Sequence, residues 1–539
     1  MGKISLLDCT LRDGAYIVES RFGTPAIRGI IDKLCDTGAD IIECGWLKNN
    51  EHEEGTCFYH VPDDLLFYMA KKNKNITYTV MIDWDRYDLS YLPECDGRTI
   101  DAIRVVFPRG RHREGIEVGK QIAAKGYKVF FQAANTLAYS DEELCELADD
   151  MNKIMPVSVS VVDTFGAMYE EDLDRILKIL DEKLDKKIQL GFHSHNNQQL
   201  SFALTIHFIN ALKNSERGII VDSSLCGMGR GAGNATTELV VSYLNRKCGA
   251  HYDLDAVMDA IDIYMGYFKE NFSWGYSTPY FIAGMYCCHV NNIAYLLKNH
   301  RTGAKDMRNI IESLPPADRQ KYDYDLLEEK YLQNQNRYID DAAAEKALKE
   351  AFDGRNILLV APGKSAVSDM EKVKKYIADN DPVVIGVNAI LQGYDYDFVF
   401  FVNPARYDYA QQAAGSDFNK FKKILLSNIK TKPLENEYII GFNNAIKRGW
   451  EHFDNAAICC LRLMDHLGME KVAIAGFDGF KTGYNESYAD PFLPTLNPGK
   501  KWEELNNEIL SMFTDFKRGA KHCRSVEFVT ESFFDKQGE

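Results

Sequence analysis

The sequence predicts a (β/α)8 TIM barrel over residues 1–285, a helical connector over 286–352 and an open α/β domain of Rossmann type over 353–539. Three observations carry that expectation. Up to about residue 285, eight short runs rich in Val, Ile and aromatic residues alternate with stretches that mostly read as helix. Those runs are continuously apolar rather than alternating, as parallel strands buried on both faces are. Eight strand-and-helix repeats in roughly 250 residues is also the arithmetic of a closed barrel. An open doubly wound sheet satisfies the same periodicity, because hydrophobic patterning does not report closure.

Taken in order, the strand candidates are Ile4–Asp8, Asp40–Trp46, Ile76–Asp83, Ala102–Phe107, Tyr127–Ala133, Val157–Asp163, Ile188–His195 and Gly218–Leu225. Polar and ionisable residues gather at their carboxyl ends: Asp8 with Arg12 and Asp13, then Glu43, Asp83, Gln132, Asp163, and His193 with His195. That is the end at which barrels build active sites, although many strands simply end in solvated polar residues. From about 290 to 352 the sequence turns charged and helix-prone (Asp323-Tyr-Asp-Leu-Leu-Glu-Glu-Lys-Tyr), broken by Pro315-Pro316. A second alternation then runs through 356–363, 382–388, 397–403, 423–427 and 471–476, which reads as an open sheet.

Bulk properties exclude some functions. The hydrophobic share of 45% and charged share of 26% are those of a soluble globular protein. A net charge of −16 argues against nucleic acid or an anionic membrane as a partner, since phosphate binding needs a basic surface. No run approaches the length of a membrane span, and the N-terminus lacks a signal-peptide pattern. The 13 cysteines are scattered, with no Cys-x-x-Cys pair, as expected of reduced thiols in a cytoplasmic protein. A homo-oligomer is expected.

The chemistry is most legible in Ile188-Gln-Leu-Gly-Phe-His193-Ser-His195. Side chains at i and i+2 of a strand share a face, so the two imidazoles converge on one point, as a divalent cation requires. Leu7-Asp8-Cys9-Thr10-Leu11-Arg12-Asp13-Gly14 brings a carboxylate and a guanidinium to the end of another apolar run. With Asp13, His193 and His195 as ligands, positions remain open for a bidentate 2-oxo acid, and Arg12 would face the same oxygen. Such a set suits making or breaking a C–C bond beside a carbonyl. Cys226-Gly-Met-Gly-Arg-Gly-Ala-Gly-Asn234 follows the last strand and lacks the Walker A ending. Its glycines, Gly229 and Gly231 among them, would let backbone approach a substrate carboxylate. Asn234 either offers its carbonyl oxygen to the cation or caps the helix that follows.

Asp8-Cys-Thr-Leu-Arg-Asp-Gly14, Gly191-Phe-His-Ser-His-Asn196 and Gly227-Met-Gly-Arg-Gly-Ala-Gly-Asn234 together resemble the signature of the DRE-TIM metallolyases. This superfamily includes 4-hydroxy-2-oxovalerate aldolase, hydroxymethylglutaryl-CoA lyase and isopropylmalate synthase. The resemblance spans residues 1 to about 285. It implies Mg2+ or Mn2+ (with Zn2+ or Co2+ also compatible) on Asp13, His193 and His195, and Arg12 steadying an enolate. The compact glycine loop resembles that of the pyruvate aldolases, and Cys226, lying before the glycines, does not match the lyases' catalytic cysteine. Where the aldolases carry a catalytic histidine three residues after the metal aspartate, this chain has Tyr16. Tyr16 serves as general base if the metal or Arg12 lowers its pKa, and otherwise packs; His289 and Tyr286 are rival candidates. Glu43 either orients a ligand or Arg12, or forms a structural ion pair with Arg104. Gln132 and Thr164, the latter in Val162-Asp-Thr-Phe-Gly166, would line the substrate pocket.

In the second domain, Val360-Ala-Pro-Gly-Lys-Ser365, Gly386-Val-Asn388, Phe401-Val-Asn-Pro-Ala-Arg406 and Gly476-Phe-Asp478 resemble nucleotide-sugar-binding domains of sialyltransferase-like proteins. The resemblance implies a nucleotide sugar there, and a merely structural domain fits as well. The leading expectation is a metal-dependent carbon–carbon lyase acting on a 2-oxo acid and aldehyde. Its alternatives are a Claisen-type acyl-CoA condensing enzyme and a sugar-nucleotide-binding or transferase protein with the barrel as scaffold.

Overall fold

The computed structural model describes residues 2–69, 72–300, 302–335, 339–430, 436–450, 455–481, 485–494 and 501–535. Contacts divide the chain into two compact units, Met1–Ile293 with Pro316–Lys321, and Ala294–Pro315 with Tyr322–Glu539. Segment 286–352 is thereby shared between them.

The first unit is a closed parallel barrel. Its strands are β1 (Ile4–Asp8), β2 (Ile41–Leu47), β3 (Thr77–Asp83), β4 (Ala102–Phe107), β5 (Lys128–Ala133), β6 (Ser158–Asp163), β7 (Gln189–Ser194) and β8 (Ile219–Ser223). Each pairs with its successor, and β1 pairs with both β8 and β2, which closes the ring and decides between the two architectures the periodicity allowed. Every residue of β2, β6 and β8 is buried, as their unbroken apolar runs require.

Helices α1 (Thr24–Thr37), α2 (His112–Ala124), α3 (Asp141–Ile154), α4 (Glu170–Lys183), α5 (Ser201–Ala211) and α6 (Thr237–Lys247) follow β1 and β4 through β8. Their apolar faces join the outer faces of the strands in one core, for instance Leu144 and Leu180 with Val159 and Val161. Ser140 and Glu143 start α3 with reciprocal side-chain and backbone bonds of 3.2 and 2.8 Å. The strand–helix alternation is incomplete. The β2–β3 link holds a two-residue strand (Phe58–Tyr59) and a 3-10 turn (Pro62–Phe67), and the β3–β4 link has no helix. That second link carries Pro93 and Gly97, the latter at φ +69°, and both end helical runs.

Inside the barrel, strand periodicity stacks two layers. Leu7, Ile41, Ala102, Phe130 and Ile220 form an apolar cluster. Two residues further along their strands, on the same face, stand Glu43, Arg104, Gln132 and Asp222. The apolar layer closes the barrel below, so the charged layer above it faces the carboxyl-terminal mouth.

The second unit holds a seven-stranded all-parallel sheet of β9 (Ile357–Val360), β10 (Val383–Val387), β11 (Phe398–Phe401), β12 (Lys422–Leu426), β13 (Glu437–Ile440), β14 (Lys471–Ala475) and β15 (Ser525–Phe528). Its order is β13-β12-β11-β10-β9-β14-β15. The chain steps outward from β9 to β13, then crosses back to lay β14 on the other side of β9, a Rossmann-like winding with its reversal between β9 and β14. The edge strands β13 and β15 are absent from the sequence-based strand set. Their half-exposed Glu437-Tyr-Ile-Ile and Ser525-Val-Glu-Phe lack the continuous apolar run that marks the inner strands. Among the described residues no helix is long and apolar enough to cross a membrane. All 13 cysteines are free.

Candidate metal centre

Strand β7 delivers His193 and, just past its end, His195, with ring centroids 5.1 Å apart and planes at 90°. Ser194 between them points the other way, its hydroxyl donating to Asp163. Asp13 arrives on a single helical turn, Thr10–Asp13, directly after β1. Two bonds on Asp8 pin that turn: its carboxylate accepts from the Thr10 N–H at 2.9 Å and from the Thr237 hydroxyl at 2.6 Å. Burial pushes the Asp8 carboxyl up to about 6, against those hydrogen bonds. Potential ligand atoms of Asp13, His193 and His195 all lie within 4.8 Å of one another, and the three side chains are buried.

A chain of buried charges runs behind this cluster. Arg12 donates from one amino group to Asp13 Oδ1 at 2.6 Å and from Nε to Glu43 Oε2 at 2.7 Å. The same Glu43 oxygen accepts from Arg104 at 2.8 Å, and Arg104 also donates to Asp222 Oδ2 at 2.5 Å and to Gln132 Oε1 at 2.8 Å. Asp222 Oδ2 lies 3.0 Å from His193 Nδ1, which leaves Nε2 as the ring atom free to act as a ligand. Both pairings weighed for Glu43, with Arg12 and with Arg104, are present together. Asp222 had no place in the sequence reading; a lone acid in Ile219-Ile-Val-Asp222-Ser was the signal available. Burial alone would raise Asp13, but Arg12, the two imidazoles and Asn234 hold it well below the usual carboxylate range. Asp222 is likewise lowered, Arg104 and His193 outweighing burial. His195 is pushed down to about 4 by burial, so it is neutral near pH 7 with a lone pair to offer.

The loop after β8 closes over the ligands. A Cβ on Gly229 would lie 2.4 Å from Asn234 Nδ2 and 2.5 Å from Asp13 Oδ2, so glycine is required by their approach. Gly231, at φ +67°, would instead meet Asn197 Oδ1 at 2.7 Å. Asn197 staples this loop by accepting from the Ala232 N–H at 2.8 Å and donating to the Phe165 carbonyl at 2.9 Å. Asn234 Nδ2 donates to Asp13 Oδ2 at 2.6 Å. Helix α6 begins three residues later with Thr236 in its N-cap position, so Asn234 does not cap it.

These residues fit a divalent cation. Among the described residues His195 Nδ1 and Asn234 Oδ1 are buried without a hydrogen-bond partner, and Nδ1 stands 3.8 Å from Asp13 Oδ2. Two buried guanidinium groups, Arg12 and Arg104, face three buried carboxylates, Asp13, Glu43 and Asp222. The excess negative charge lies in a poorly solvated interior, where a cation offsets it.

Around this centre the other expected residues divide. Gln132 is buried, its Nε2 without a partner among the described residues. Thr164 spends its hydroxyl accepting from the Asn135 N–H at 2.7 Å. Asp163 accepts from the Ala167 and Met168 N–H groups, and burial pushes it up to about 7. Tyr16 packs edge-on to Trp46, and the Arg230 guanidinium lies 5.0 Å from its ring centroid. Tyr16 is 43% exposed, and its phenol shifts upward through partial desolvation against Arg230 and Arg12, so the lowering that a general base needs is not supplied by those arginines. His289 Nε2 lies 2.8 Å from Arg230, and burial followed by that charge pushes it down to about 3. Tyr286 stacks beneath Arg319, 5.1 Å from its ring centroid.

Comparison with known proteins bears on this barrel. Residues 110–263 match the family model described as HMGL-like. The chain is 27% identical to an oxaloacetate decarboxylase of Mycobacterium tuberculosis over 263 residues, 47% of this chain and 74% of the relative. It is 28% identical to a 4-hydroxy-2-oxovalerate aldolase of Thermomicrobium roseum over 272 residues, 47% of this chain and 70% of the relative. Among solved structures, HMG-CoA lyase from Brucella melitensis aligns at 16% identity with TM-score 0.37, covering 50% of this chain and all of that one. The carboxyl transferase domain of Rhizobium etli pyruvate carboxylase aligns at 15% identity with TM-score 0.45, covering 58% and 57%. The HMGL-like match includes the second and third of the three motifs, and the curated relatives named are an aldolase and a decarboxylase of 2-oxo acids.

Two outcomes follow from this geometry. Gly229→Ala weakens Mn2+ binding at least about tenfold in calorimetry, equivalent to about 1.4 kcal/mol. Gly231→Ala keeps that affinity but loses about 1–2 kcal/mol of stability to its left-handed backbone; equal affinities in the two variants would refute the assignment. In chelator-treated protein, the unfolded chain takes up the His195 proton near 6.5 and the folded chain only near 4. Stability from this residue is therefore present above 6.5 and drains away as pH falls toward 4, by up to about 3 kcal/mol. Urea melts of His195→Gln lack that part of the slope.

Proposed function

We propose that the barrel is a divalent-metal-dependent carbon–carbon lyase that cleaves a bond beside a 2-oxo acid through an enolate of pyruvate type. The observation carrying this reading is the placement of Arg12 against the Asp13–His193–His195 cluster. Arg12 commits Nε and one amino group to Glu43 and Asp13, and its other amino group makes no hydrogen bond among the described residues. A guanidinium anchored on two sides, with one free edge beside the cluster, is a ready donor to an oxygen that gains charge.

A metal bound by Asp13, His193 and His195, with Asn234 Oδ1 beside them, would supply Lewis acidity toward the 2-oxo oxygen and hold the substrate by two of its oxygens. The chain's own residues do the remainder. Asp222 fixes the His193 ring, Glu43 fixes Arg12, and Arg12 donates to the oxygen that receives the bonding electrons. Tyr16 carries its proton at neutral pH, which suits it to protonate the enolate carbon once the bond has broken. Gln132 Nε2, with Gly229 and Gly231 in the loop, borders the space for the substrate carboxylate.

A second reading has a specific observation in its favour. Retro-aldol cleavage needs a base for the hydroxyl proton, whereas decarboxylation of a 2-oxo diacid reaches the same enolate without one. Tyr16 stands above its ordinary pKa and His289 is engaged by Arg230. With neither Tyr16 nor His289 poised as a base, the site suits decarboxylation, the activity named for one relative, alongside the aldolase activity named for others.

The shared enolate is the point to test. Deuterium exchange into the methyl group of pyruvate, followed by NMR, is expected with Mg2+ or Mn2+, lost with chelator and lost in His193→Ala. Arg12→Lys slows exchange by about 10²–10³, the effect of removing one oxyanion donor. Exchange that persists in His193→Ala without metal refutes the reading. Thiol release from acetyl-CoA with a 2-oxo acid would point instead to Claisen condensation. Oxaloacetate and 4-hydroxy-2-oxo acids, offered side by side, separate decarboxylation from aldol cleavage.

A further inference from the structure

The barrel mouth carries an arginine that the chemistry proposed above does not use. Arg230 stands in the loop after β8, directly after Gly229, whose missing side chain leaves room for Asp13 and Asn234. The Arg230 carbonyl accepts from the Gly233 N–H at 3.1 Å, which fixes the turn that holds it. Its guanidinium lies 5.0 Å from the ring centroid of Tyr16, a residue just past Asp13 on the loop after β1. One amino group donates to His289 Nε2 at 2.8 Å and to Asn291 Oδ1 at 3.2 Å. The side chain thus links the loop after β8 to the loop after β1 and to segment 289–291. Its positive charge acts on His195, on the Tyr16 phenol and on Asp83 at the end of β3.

Nothing anionic is paired with that charge. Among the described residues no carboxylate forms an ion pair with Arg230, and its Nε and other amino group make no hydrogen bond. The acceptors it has are neutral. The Asn291 N–H, 3.2 Å from His289 Nδ1, competes for the single lone pair of a neutral imidazole, so His289 is a weak anchor. Asp83 faces Arg86 instead, at 3.8 Å. Arg230 is half-buried and Tyr16 beside it is exposed, so this guanidinium meets solvent, unlike the idle donors of Arg104 and Arg462 closed inside the protein. On a chain of net charge −16, a cation kept clear of carboxylates is one that an anionic substrate reaches without displacing a charged partner.

We propose that Arg230 selects substrates that carry a second carboxylate, on the end remote from the 2-oxo acid head. This inference rests on the reading of the barrel as a 2-oxo acid lyase. The head belongs to the buried cluster of Asp13, His193, His195 and Arg12, whereas Arg230 stands with Tyr16 on the solvent side, where the outer end of a substrate arrives. A guanidinium meets a carboxylate through charge-assisted hydrogen bonds, stronger than those it makes to neutral His289 and Asn291. The substrate class is a 4-hydroxy-2-oxo diacid. Its C3–C4 bond breaks with the electron pair passing to the enolate, the C4 hydroxyl gives up its proton to become the aldehyde carbonyl, and a proton returns to C3. Pyruvate and an aldehyde acid result, and the tail carboxylate stays with the aldehyde throughout. Arg230 opposes loss of the carboxylate it holds, because decarboxylation removes the charge that a guanidinium stabilises.

Calorimetry on the intact Mn2+-loaded chain compares 2-oxoglutarate with 2-oxopentanoate, in which a methyl group replaces the tail carboxylate. The parent binds the diacid at least about tenfold more tightly. In Arg230→Gln the preference falls to within about twofold of unity. Arg230→Lys keeps part of it, since the ammonium retains the charge without the planar donors. If Arg230→Gln does not fold, Arg230→Met takes its place with the same loss. No preference in the parent, or a preference that survives removal of the charge, overturns the proposal. Deuterium exchange into the pyruvate methyl group by the parent reports the enolate chemistry separately. Exchange without diacid preference refutes the role of Arg230 and keeps the lyase reading. Preference that depends on Arg230, without exchange, supports Arg230 as the carboxylate-binding residue and refutes the lyase reading.

Discussion

The barrel's site depends on one continuous line of buried charge, from Asp13 through Arg12, Glu43, Arg104 and Asp222 to His193. Both ends of that line, Asp13 and His193, belong to the candidate metal cluster. Its middle is inaccessible, with Glu43 and Arg104 at 0% and 1% exposure. Ionic groups so far from water are held by their mutual bonds rather than by solvation, and removing one leaves its neighbour as a buried unpaired charge at about 3–5 kcal/mol. The arrangement therefore tolerates little displacement. Arg12 cannot swing away from Asp13 without abandoning Glu43, and the His193 ring cannot turn without abandoning Asp222. Rigidity of this kind suits the proposed role, in which Arg12 would meet charge that exists only briefly on a substrate oxygen.

What fixes the line in space is the period of the strands. Ile41 and Glu43, Ala102 and Arg104, Phe130 and Gln132, and Ile220 and Asp222 are i, i+2 pairs, each with its first member in the apolar layer and its second above it. A one-residue slip in any strand would send the charge outward into the helices and an apolar residue into the network. The register that packs the barrel interior is thus the register that aligns the ions. The turn Thr10–Asp13 and the loop after β8 complete the assembly from above, where Gly229 lets Asn234 and Asp13 meet.

Much of this was legible in the residues. All eight barrel strands begin and end within a residue or two of the apolar runs that mark them, because a strand buried on both faces writes itself as an unbroken apolar run. The convergence of His193 with His195 followed from period two, and the Arg12–Asp13 pair from its place after an apolar run. Less was legible where the cause is tertiary. Asp222 is one polar residue in an otherwise apolar strand, and only the ring closure that brings β8 within reach of β4 reveals that Arg104 needs it. The Tyr16 environment, edge-on to Trp46 and beside Arg230, depends on residues 30 and 214 positions away, which sequence does not bring together. Asn234 had two readings of equal standing until the start of α6 at Thr237 removed the cap. The edge strands β13 and β15 lacked the apolar run because one side of each is half open to solvent.

The buried arginines show how structural and functional uses of one side chain separate. Arg217 spends its guanidinium on carbonyls of Asp181, Leu184, Asp185 and Ile188 and on the Asp181 carboxylate, which is how a clamp looks when its hydrogen-bonding capacity is filled. Arg104 reaches three acceptors within the charged layer. Arg12 fills two directions and keeps one. Arg406 rests on an aromatic face with NH1 unsatisfied. Arg104 Nε and both amino groups of Arg462 are also buried without a partner among the described residues, at about 1–3 kcal/mol each, so an idle donor alone does not mark a binding site. What singles out Arg12 is therefore its surroundings, a free edge beside the Asp13–His193–His195 cluster, where an oxygen gaining charge would find a donor already held in place.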